Sequence, residues 1–596
     1  MKKTIIFLFL VFLLSLPLVL PFFRSGYFPT HDGEWAIVRL GAMHRALMAR
    51  HFPVRWAGNL NYSFGYPLFL FTYPLPYYLG ELFYLAGFGL VGTVKILFVL
   101  GTILSGLAMF LLGKELFGNF GGLIGTVFYL YAPFRLVDLY VRGSLGESLA
   151  FIFFPLLFWA LIRITKGHYS WVAIGAIFFA GLLLTHNVSA LLFTPFLVAF
   201  MAFLILKSSE KERIFLAQRL LLVFILGIGL AAFFLIPALT EKSNIALSQM
   251  PLADIKQHFV NYQQLVSPSW GYGSPGGEDA FSFQLGWVHL GGLLVAFTFW
   301  LYNKRRFKNP DSLFFGFSFI SLLFLVFLML PLSFQFWDKA PFFSEVDFPW
   351  RALGVATFFL AIGLGYLVVN RLSRFLAIGL AFLVIVVNLN YAKPSGSIDY
   401  GDDYYFTNEA TTTSNDELMP LWVKQKPLKH PQEKVIITSG EGVINKVFFD
   451  AKRVGFDVEG ETELEIQINT IYYPGWKLKI DGREAPLRYN PRRELSRHKV
   501  PLYNNEGGLI TLKVTPGQHR IMAVFGETPV RLLSDFISLA SLMSIGGLLI
   551  HRLQDKGRNF DLSRRFPKFR GGAQPRMKNP PASVLGEDSI KQKRDK

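Results

Sequence analysis

The chain has 596 residues, of which 52% are hydrophobic and 16% aromatic, while only 17% are charged. A soluble domain carries about 25% charge, so this composition excludes a cytosolic globule and points to a polytopic membrane protein, in which lipid surrounds runs of about 20 apolar residues. The net charge of +18 sits largely in short loops and in the stretch after His551, which marks topology rather than nucleic-acid binding. The absence of cysteine excludes disulfides, thiolate metal sites and a cysteine nucleophile.

Met1-Lys2-Lys3 and the apolar stretch Thr4 to Phe23 read as a retained first span rather than a signal peptide, because the run is long for a signal core and no small-x-small cleavage site follows. In segment 24–90, Ala36, Leu40, Met43 and Leu47 recur at helical spacing while Arg39, His44 and Arg45 point elsewhere, which predicts a helix lying in the membrane interface. A second aromatic stretch, Tyr66-Pro67-Leu68-Phe69 through Tyr77-Tyr78-Leu79, is broken by Pro74 and Pro76 and fits another interfacial helix or a bent span. The interfacial helices thus occupy 33–88. Further spans are expected at about 91–113, 119–137, 147–165, 170–185, 188–206, 219–239, 285–302, 312–331, 351–370, 374–391 and 531–550, giving about twelve in all.

Lys and Arg then fall in every second loop, at Lys2/Lys3, Lys114, Arg163/Lys166, Lys207 to Arg219, Lys304 to Lys308, Arg371/Arg374 and the C-terminal tail. By the positive-inside rule both termini are expected in the cytoplasm, with 24–90, 240–284 and 392–530 outside. The last of these changes character. Leu464, Ile466 and Ile468 alternate with Glu463, Glu465 and Gln467, and Trp476, Leu478 and Ile480 alternate with Lys477 and Lys479. With Asp481-Gly482 and Pro516-Gly517 as hairpin turns, residues 392–530 read as an extracytoplasmic antiparallel β-sandwich, entered through a polar linker over 393–432. Span 531–550 anchors it, and the basic tail 551–596 is expected to be disordered and to touch anionic headgroups. The predicted architecture is a transmembrane domain over 1–391, the sandwich, a final span and the tail.

Chemistry-bearing residues gather at the outer ends of spans. His31-Asp32-Gly33-Glu34-Trp35 offers two carboxylates that can chelate a divalent cation or supply a general base, and equally reads as a helix start with Asp32 as N-cap and Glu34 on the helix dipole. Arg142-Gly143-Ser144-Leu145-Gly146-Glu147 opens the fourth span; Glu147 can reach the same cavity as Asp32 or sit at a solvated boundary. Phe348-Pro349-Trp350-Arg351 can grip a lipid phosphate through Arg351 while Trp350 packs on the lipid, or can act as an interface anchor. Thr185-His186-Asn187 places a histidine at a span end, as a packing residue or a hydrogen-bond partner of substrate. Asn187-Val188-Ser189 and Asn61-Tyr62-Ser63 match glycan acceptor tripeptides, a number that chance supplies in this length. No ionisable residue lies near the centre of an expected span, which disfavours a transporter.

This order of segments resembles the GT-C superfamily of polytopic glycosyltransferases. More closely, Asp32 to Tyr78, Arg142 to Glu147, Thr185-His186-Asn187 and Phe348-Pro349-Trp350-Arg351 look like the bacterial membrane family labelled 6-pyruvoyl-tetrahydropterin synthase-related, and Tyr472-Tyr473-Pro474-Gly475-Trp476 with Asp481-Gly482 is similar to the outer domain of such proteins. Soluble pterin synthases use a His-ligated zinc and a cysteine, and this chain has no cysteine and no His cluster, so the label implies no pterin chemistry. The GT-C resemblance implies an inverting sugar transferase of the bacterial plasma membrane, acting on the outer face on a polyprenyl-phosphate donor and a glycan, lipid or protein acceptor. It implies Asp32 as base, with Glu34 and Glu147 as catalytic carboxylates that ligate metal or substrate. His31, Arg142, His186, Asn187, Trp350 and Arg351 would bind substrate, and Asp32 with Glu147 would seat a divalent cation such as Mg or Mn. The acidic motif is Asp-Gly-Glu, which leaves open which carboxylate is the family's essential one. The contrasting reading is a non-enzymatic transporter or scaffold for lipid-linked glycans.

Overall fold

The computed structural model describes residues 2–250, 253–275, 279–303, 309–340, 345–346, 348–369, 371–407, 409–489 and 507–565. Met1–Gly547 form one compact unit, and Leu548 onward forms a second whose described part is helical to Arg565. Among the described residues nine helices are long and apolar enough to cross a membrane, and two shorter apolar helices accompany them.

In chain order the principal helices are α1 (Lys2–Val19), α2 (Gly33–Met48), α3 (Leu75–Phe83), α4 (Gly89–Leu130), α5 (Leu145–Thr165), α6 (Trp171–Thr185) and α7 (Asn187–Lys207). They continue as α8 (Glu210–Leu230), α9 (Ala232–Thr240), α10 (Trp287–Tyr302), α11 (Pro310–Met329), α12 (Ala352–Gly365), α13 (Arg371–Asn388) and α14 (Pro529–Arg565). Every expected apolar run falls on a helix, with three changes. The run at 119–137 stops at Leu130, because Pro133 begins a separate short helix, and α4 itself folds at Gly118, where φ is +76°. The run at 219–239 divides at Ala231 into α8 and α9. The final helix passes Ile550 and extends to Arg565, so this part of the tail is helical rather than disordered; the rest of the tail and the basic loop 304–308 lie outside the described residues. α12 is buried along its whole length at the centre of the bundle. Phe154, Phe158, Phe193, Phe358 and Phe359 interlock there, with ring centroids 4.5–6.1 Å apart for the pairs in contact, a spacing that adds to area burial.

α2 buries Ala36, Leu40 and Met43 on the predicted face. α3 has nine residues, about 13 Å of rise and too short to span, and exposes Leu79 and Leu82.

Residues from Val435 form two antiparallel sheets, one ordered β1 (Val435–Ser439), β4 (Leu464–Ile471), β7 (Leu509–Val514). The other is ordered β2 (Gly442–Phe449), β3 (Arg453–Gly460), β8 (Gly517–Phe525), β5 (Trp476–Ile480), β6 (Arg483–Ala485). Ile466, Ile468, Ile510 and Leu512 from the first face the interior with Phe456, Leu478 and Ile521 from the second, and all are buried. Asp481 and Gly482 both have positive φ and close the β5–β6 hairpin as expected. Pro516-Gly517 does not close a hairpin: β7 pairs with β4 and β8 with β3 and β5, so this turn carries the chain from one sheet to the other.

The sandwich is bolted to the helices. Arg531, fully buried, grips Glu241 as a fork, Nε to Oε1 at 2.7 Å and Nη2 to Oε2 at 2.6 Å, and also donates to the Pro474 carbonyl. Arg55 pairs with Glu527 and Asp535, each at 2.7 Å. Trp56 stacks on Phe525 and meets Trp476 edge to face.

Candidate active site at one end of the bundle

The Arg142-Gly143-Ser144-Leu145-Gly146-Glu147 turn draws three loops together. Gly143 adopts φ +61°, and a Cβ there would meet Thr30 Oγ1 at 2.3 Å, so only glycine lets the two loops join. They join through backbone bonds from His31 N–H to the Val141 carbonyl at 3.0 Å and from Asp32 N–H to the Arg142 carbonyl at 2.8 Å. Gly146 lies against the Tyr73 ring and the Thr185 carbonyl, where a Cβ would sit 2.5 and 2.6 Å from them. The loops before α2, after Phe71 and before α7 therefore converge on the head of α5.

Between them lies a cavity of about 690 Å³ whose wall includes Asp32, Arg142, His186, Asn187 and Arg351. Five residues singled out from the sequence thus share one wall. Asp32 does not cap α2: Thr30 Oγ1 accepts the Gly33 N–H at 3.1 Å, and the Asp32 carboxylate has no hydrogen bond or ion pair among the described residues. Arg142 is buried and binds Asp138 at 2.8 Å and Glu147 through the same Nη1, while Ser148 Oγ donates to Asp138 at 2.8 Å. Burial opposes the Arg142 charge, but Glu147, Asp138 and Asp32 outweigh it and hold its pKa above the ordinary value. Burial and the neighbouring Glu147 charge raise Asp138 well above the usual carboxylate range.

His186 Nδ1 accepts the Ser189 N–H at 3.2 Å and lies 2.7 Å from Ser189 Oγ. Burial, then the charges of Arg351 and Arg142, push it well below the usual histidine range, so the ring is neutral. Asn187 Nδ2 donates to the Phe71 carbonyl at 3.0 Å.

The remaining expected residues stand apart from the wall. Glu34 points toward Tyr404 and Tyr405 and its pKa is raised by burial. Two positions along a helix differ by about 200°, which turns it away from Asp32. Trp350 is buried among Phe281, Phe283 and the Arg142 guanidinium, 5.0 Å from the ring centroid, so it backs Arg142 instead of facing lipid. His31 Nε2 is fixed 2.9 Å from the Tyr272 carbonyl oxygen. Glu147 is turned into the bundle against Arg142, and its fit as a ligand beside Asp32 is poor because a guanidinium already meets its charge. No group of three or more His, Asp or Glu side chains suited to a metal occurs among the described residues.

Arg39, on the predicted helix α2, also lines the wall, and other wall residues come from segments without a sequence signal. Lys242, paired with Glu345, follows α9. Thr413 to Leu418 belong to the expected linker, which is a strap across the cavity. Arg39 and Tyr66 both bind Thr412, Arg45 binds Glu409 at 2.7 Å, and Leu247 N–H donates to the Glu417 carbonyl at 2.8 Å. Coil with no periodicity leaves no pattern by which to find them.

Residues 70–393 match the family model described as 6-pyruvoyl-tetrahydropterin synthase related domain, membrane protein, which covers more than half of the chain. The chain belongs to that family. A fellow protein of similar sequence is an uncharacterized protein of Lactococcus lactis subsp. cremoris (strain MG1363), 25% identical over 342 residues, 55% of this chain and 54% of its own. This family member therefore spans about half the length of the curated relative it matches. Among solved structures it is similar to the arabinofuranosyltransferase AftD from Mycobacteria, at 16% identity and a TM-score of 0.42 over 67% of this chain and 29% of that one. It is also similar to the Archaeoglobus fulgidus oligosaccharyltransferase in its apo form, at 14% identity and a TM-score of 0.43 over 72% and 62%. At these scores neither likeness assigns an activity to the family member described here.

Proposed function

We propose that the protein is a membrane glycosyltransferase of GT-C type, transferring a sugar from a polyprenyl-phosphate donor to an envelope acceptor on the face that the loop charges mark as outside. The observation that carries this reading is the composition of the cavity wall: Asp32, a carboxylate with no hydrogen bond or ion pair among the described residues, stands with the cationic side chains of Arg142, Lys242 and Arg351. Asp32 takes the proton of the acceptor hydroxyl as its oxygen attacks the anomeric carbon. The carbon–oxygen bond to the phosphate breaks with inversion, and the phosphate leaves with its electron pair toward Arg351 and Lys242. Positioned charge of this kind acts where negative charge develops. Glu147 and Asp138 hold Arg142 in place, and Glu34 lies outside this scheme. No step of this scheme uses a cation shared by Asp32 and Glu147.

The test is transfer of labelled sugar from a panel of polyprenyl-phosphate donors in nanodiscs. Asp32→Asn keeps size and removes basicity, and lowers transfer by about 10²-fold or more, the range for a lost general base. Arg351→Lys replaces a fork with a point charge and raises the KM for the lipid donor. Full activity in Asp32→Asn removes the assigned base, and an absence of transfer from every donor favours the scaffold or transporter reading.

A further inference from the structure

α2 connects two cavities. Its N-terminal half lines the one already described, and its C-terminal half lines another of about 460 Å³, walled by His44, Arg45 and Met48, by Asn59 and Ser63, and by the β2–β3 turn from Phe449 to Arg453. That volume lies in the range of small-molecule sites.

The charges of this wall are matched in pairs. Arg45 Nη1 meets Glu409 at 2.7 Å, Arg453 Nε donates to Asp450 at 2.7 Å, and His44 Nδ1 lies 2.9 Å from Glu81. Each charged member of this wall thus has a partner, and Lys434 beside Phe449 donates to the Ser63 carbonyl and, at 2.9 Å, to the Asn469 carbonyl. What remains is hydrogen-bonding capacity beside an aromatic surface. Asn59 Oδ1 is buried without a hydrogen-bond partner among the described residues. Phe449 is 56% exposed, with Lys434 over its ring at 5.5 Å.

The loop that presents Asn59 is strained. Asn61, Tyr62 and Ser63 follow one another with φ of 55°, 57° and 65°, a left-handed run that crowds the Cβ of Tyr62 and Ser63. The strap holds it: Tyr62 N–H donates to the Glu409 carbonyl at 2.6 Å, and Ser63 Oγ donates to the Glu409 carboxylate at 3.0 Å. Strain kept in place by neighbouring structure, next to an unpartnered buried amide oxygen, marks a site prepared for a ligand.

We infer that this pocket binds a neutral stretch of the acceptor, an oligosaccharide whose hydroxyls donate to Asn59 and to the paired carboxylates, accept from the paired arginines, and whose C–H face packs on Phe449. The inference rests on the glycosyltransferase reading for the word acceptor, while the pocket's chemistry is independent of it. Asp32 and Arg45 are about 20 Å apart along the axis of α2, at 1.5 Å per residue. A glycan seated at the second pocket reaches Asp32 only if it is several sugars long, so chain length is built into acceptor choice.

The experiment is binding of the full-length protein in nanodiscs to an array of neutral and anionic envelope oligosaccharides of one to six units, read without turnover. Neutral members of three or more units bind, shorter ones bind at least tenfold more weakly, and Phe449→Ala and Asn59→Ala each weaken binding about tenfold or more. Met48→Trp, at an exposed position, fills the pocket and does the same. Each variant is checked for monodispersity, and Phe449→Ala and Met48→Trp alter exposed side chains that the fold does not need. Preference for anionic glycans, binding that ignores all three pocket variants, or no glycan binding at all overturns the inference. Pocket-dependent binding without transfer from any donor upholds the pocket and removes the catalytic reading, whereas transfer that fails only in Asp32→Asn with pocket-independent binding does the reverse.

Discussion

Two buried arginine clusters differ in what they leave over. At the junction with the sandwich, Arg531 closes on Glu241, and Arg55 on Glu527 and Asp535, so that every carboxylate of the group has its cation. At the cavity, Arg142 closes on Asp138 and Glu147, yet Asp32 stands beside them without an ion pair among the described residues. Charge that is fully matched holds a structure together. Charge left unmatched on a cavity wall is available to a substrate, and the contrast separates a bolt from a site although both are built from the same residue types.

The largest effect expected from this contrast is on stability at the junction. Arg531→Met leaves Glu241 buried against apolar neighbours, and removing one partner of a buried pair costs about 3–5 kcal/mol. The melting temperature in detergent falls steeply, and the double variant with Glu241→Gln recovers part of the loss, because the stranded charge goes with its partner. A melt of Arg531→Met superimposable on that of the unmodified protein would remove the bolt from this account.

Asp32→Asn is the mirror experiment and the next in size. Its transfer rate falls by about 10²-fold while its stability, read from the melt, stays within the narrow range of surface changes, about ±0.5 kcal/mol, because no partner among the described residues is left behind. If Asp32→Asn and Arg531→Met lower stability alike, the distinction between matched and unmatched charge fails.

Much of this was legible in the sequence where a period carries the signal. The apolar runs became helices, Leu464, Ile466 and Ile468 became the inner face of β4, and Asp481-Gly482 closed its hairpin. Asp32, Arg142, His186, Asn187 and Arg351 reached one wall because each begins or ends an element at the same end of the bundle. What stayed hidden depends on rotation or on coil. Glu34 and Trp350 stand next in sequence to wall residues but face other neighbours, which the spacing of residues does not reveal without the partner elements. Thr413 to Leu418 and Lys242 arrive from aperiodic segments. Glu147 was read as a ligand of the cavity, and only the fold shows that Arg142 already holds it.

The smallest effect sharpens the electrostatics of the cavity through pH. His186 sits outside the spans, between α6 and α7, and burial together with Arg351 and Arg142 holds it well below the ordinary value of 6.5. The unfolded chain therefore takes up a proton on this ring near pH 6.5 that the folded protein refuses, so the stability it contributes is present above that pH and declines as pH falls beneath it. His186→Gln removes the titrating group while keeping a side chain able to meet the Ser189 N–H. Melting temperatures measured from pH 7.5 down to pH 5 should decline less in the variant than in the unmodified protein, and the two curves should run parallel above pH 7. If they are parallel throughout, the ring is not held neutral by Arg351 and Arg142, and the positive potential assigned to the phosphate end of the cavity loses its support.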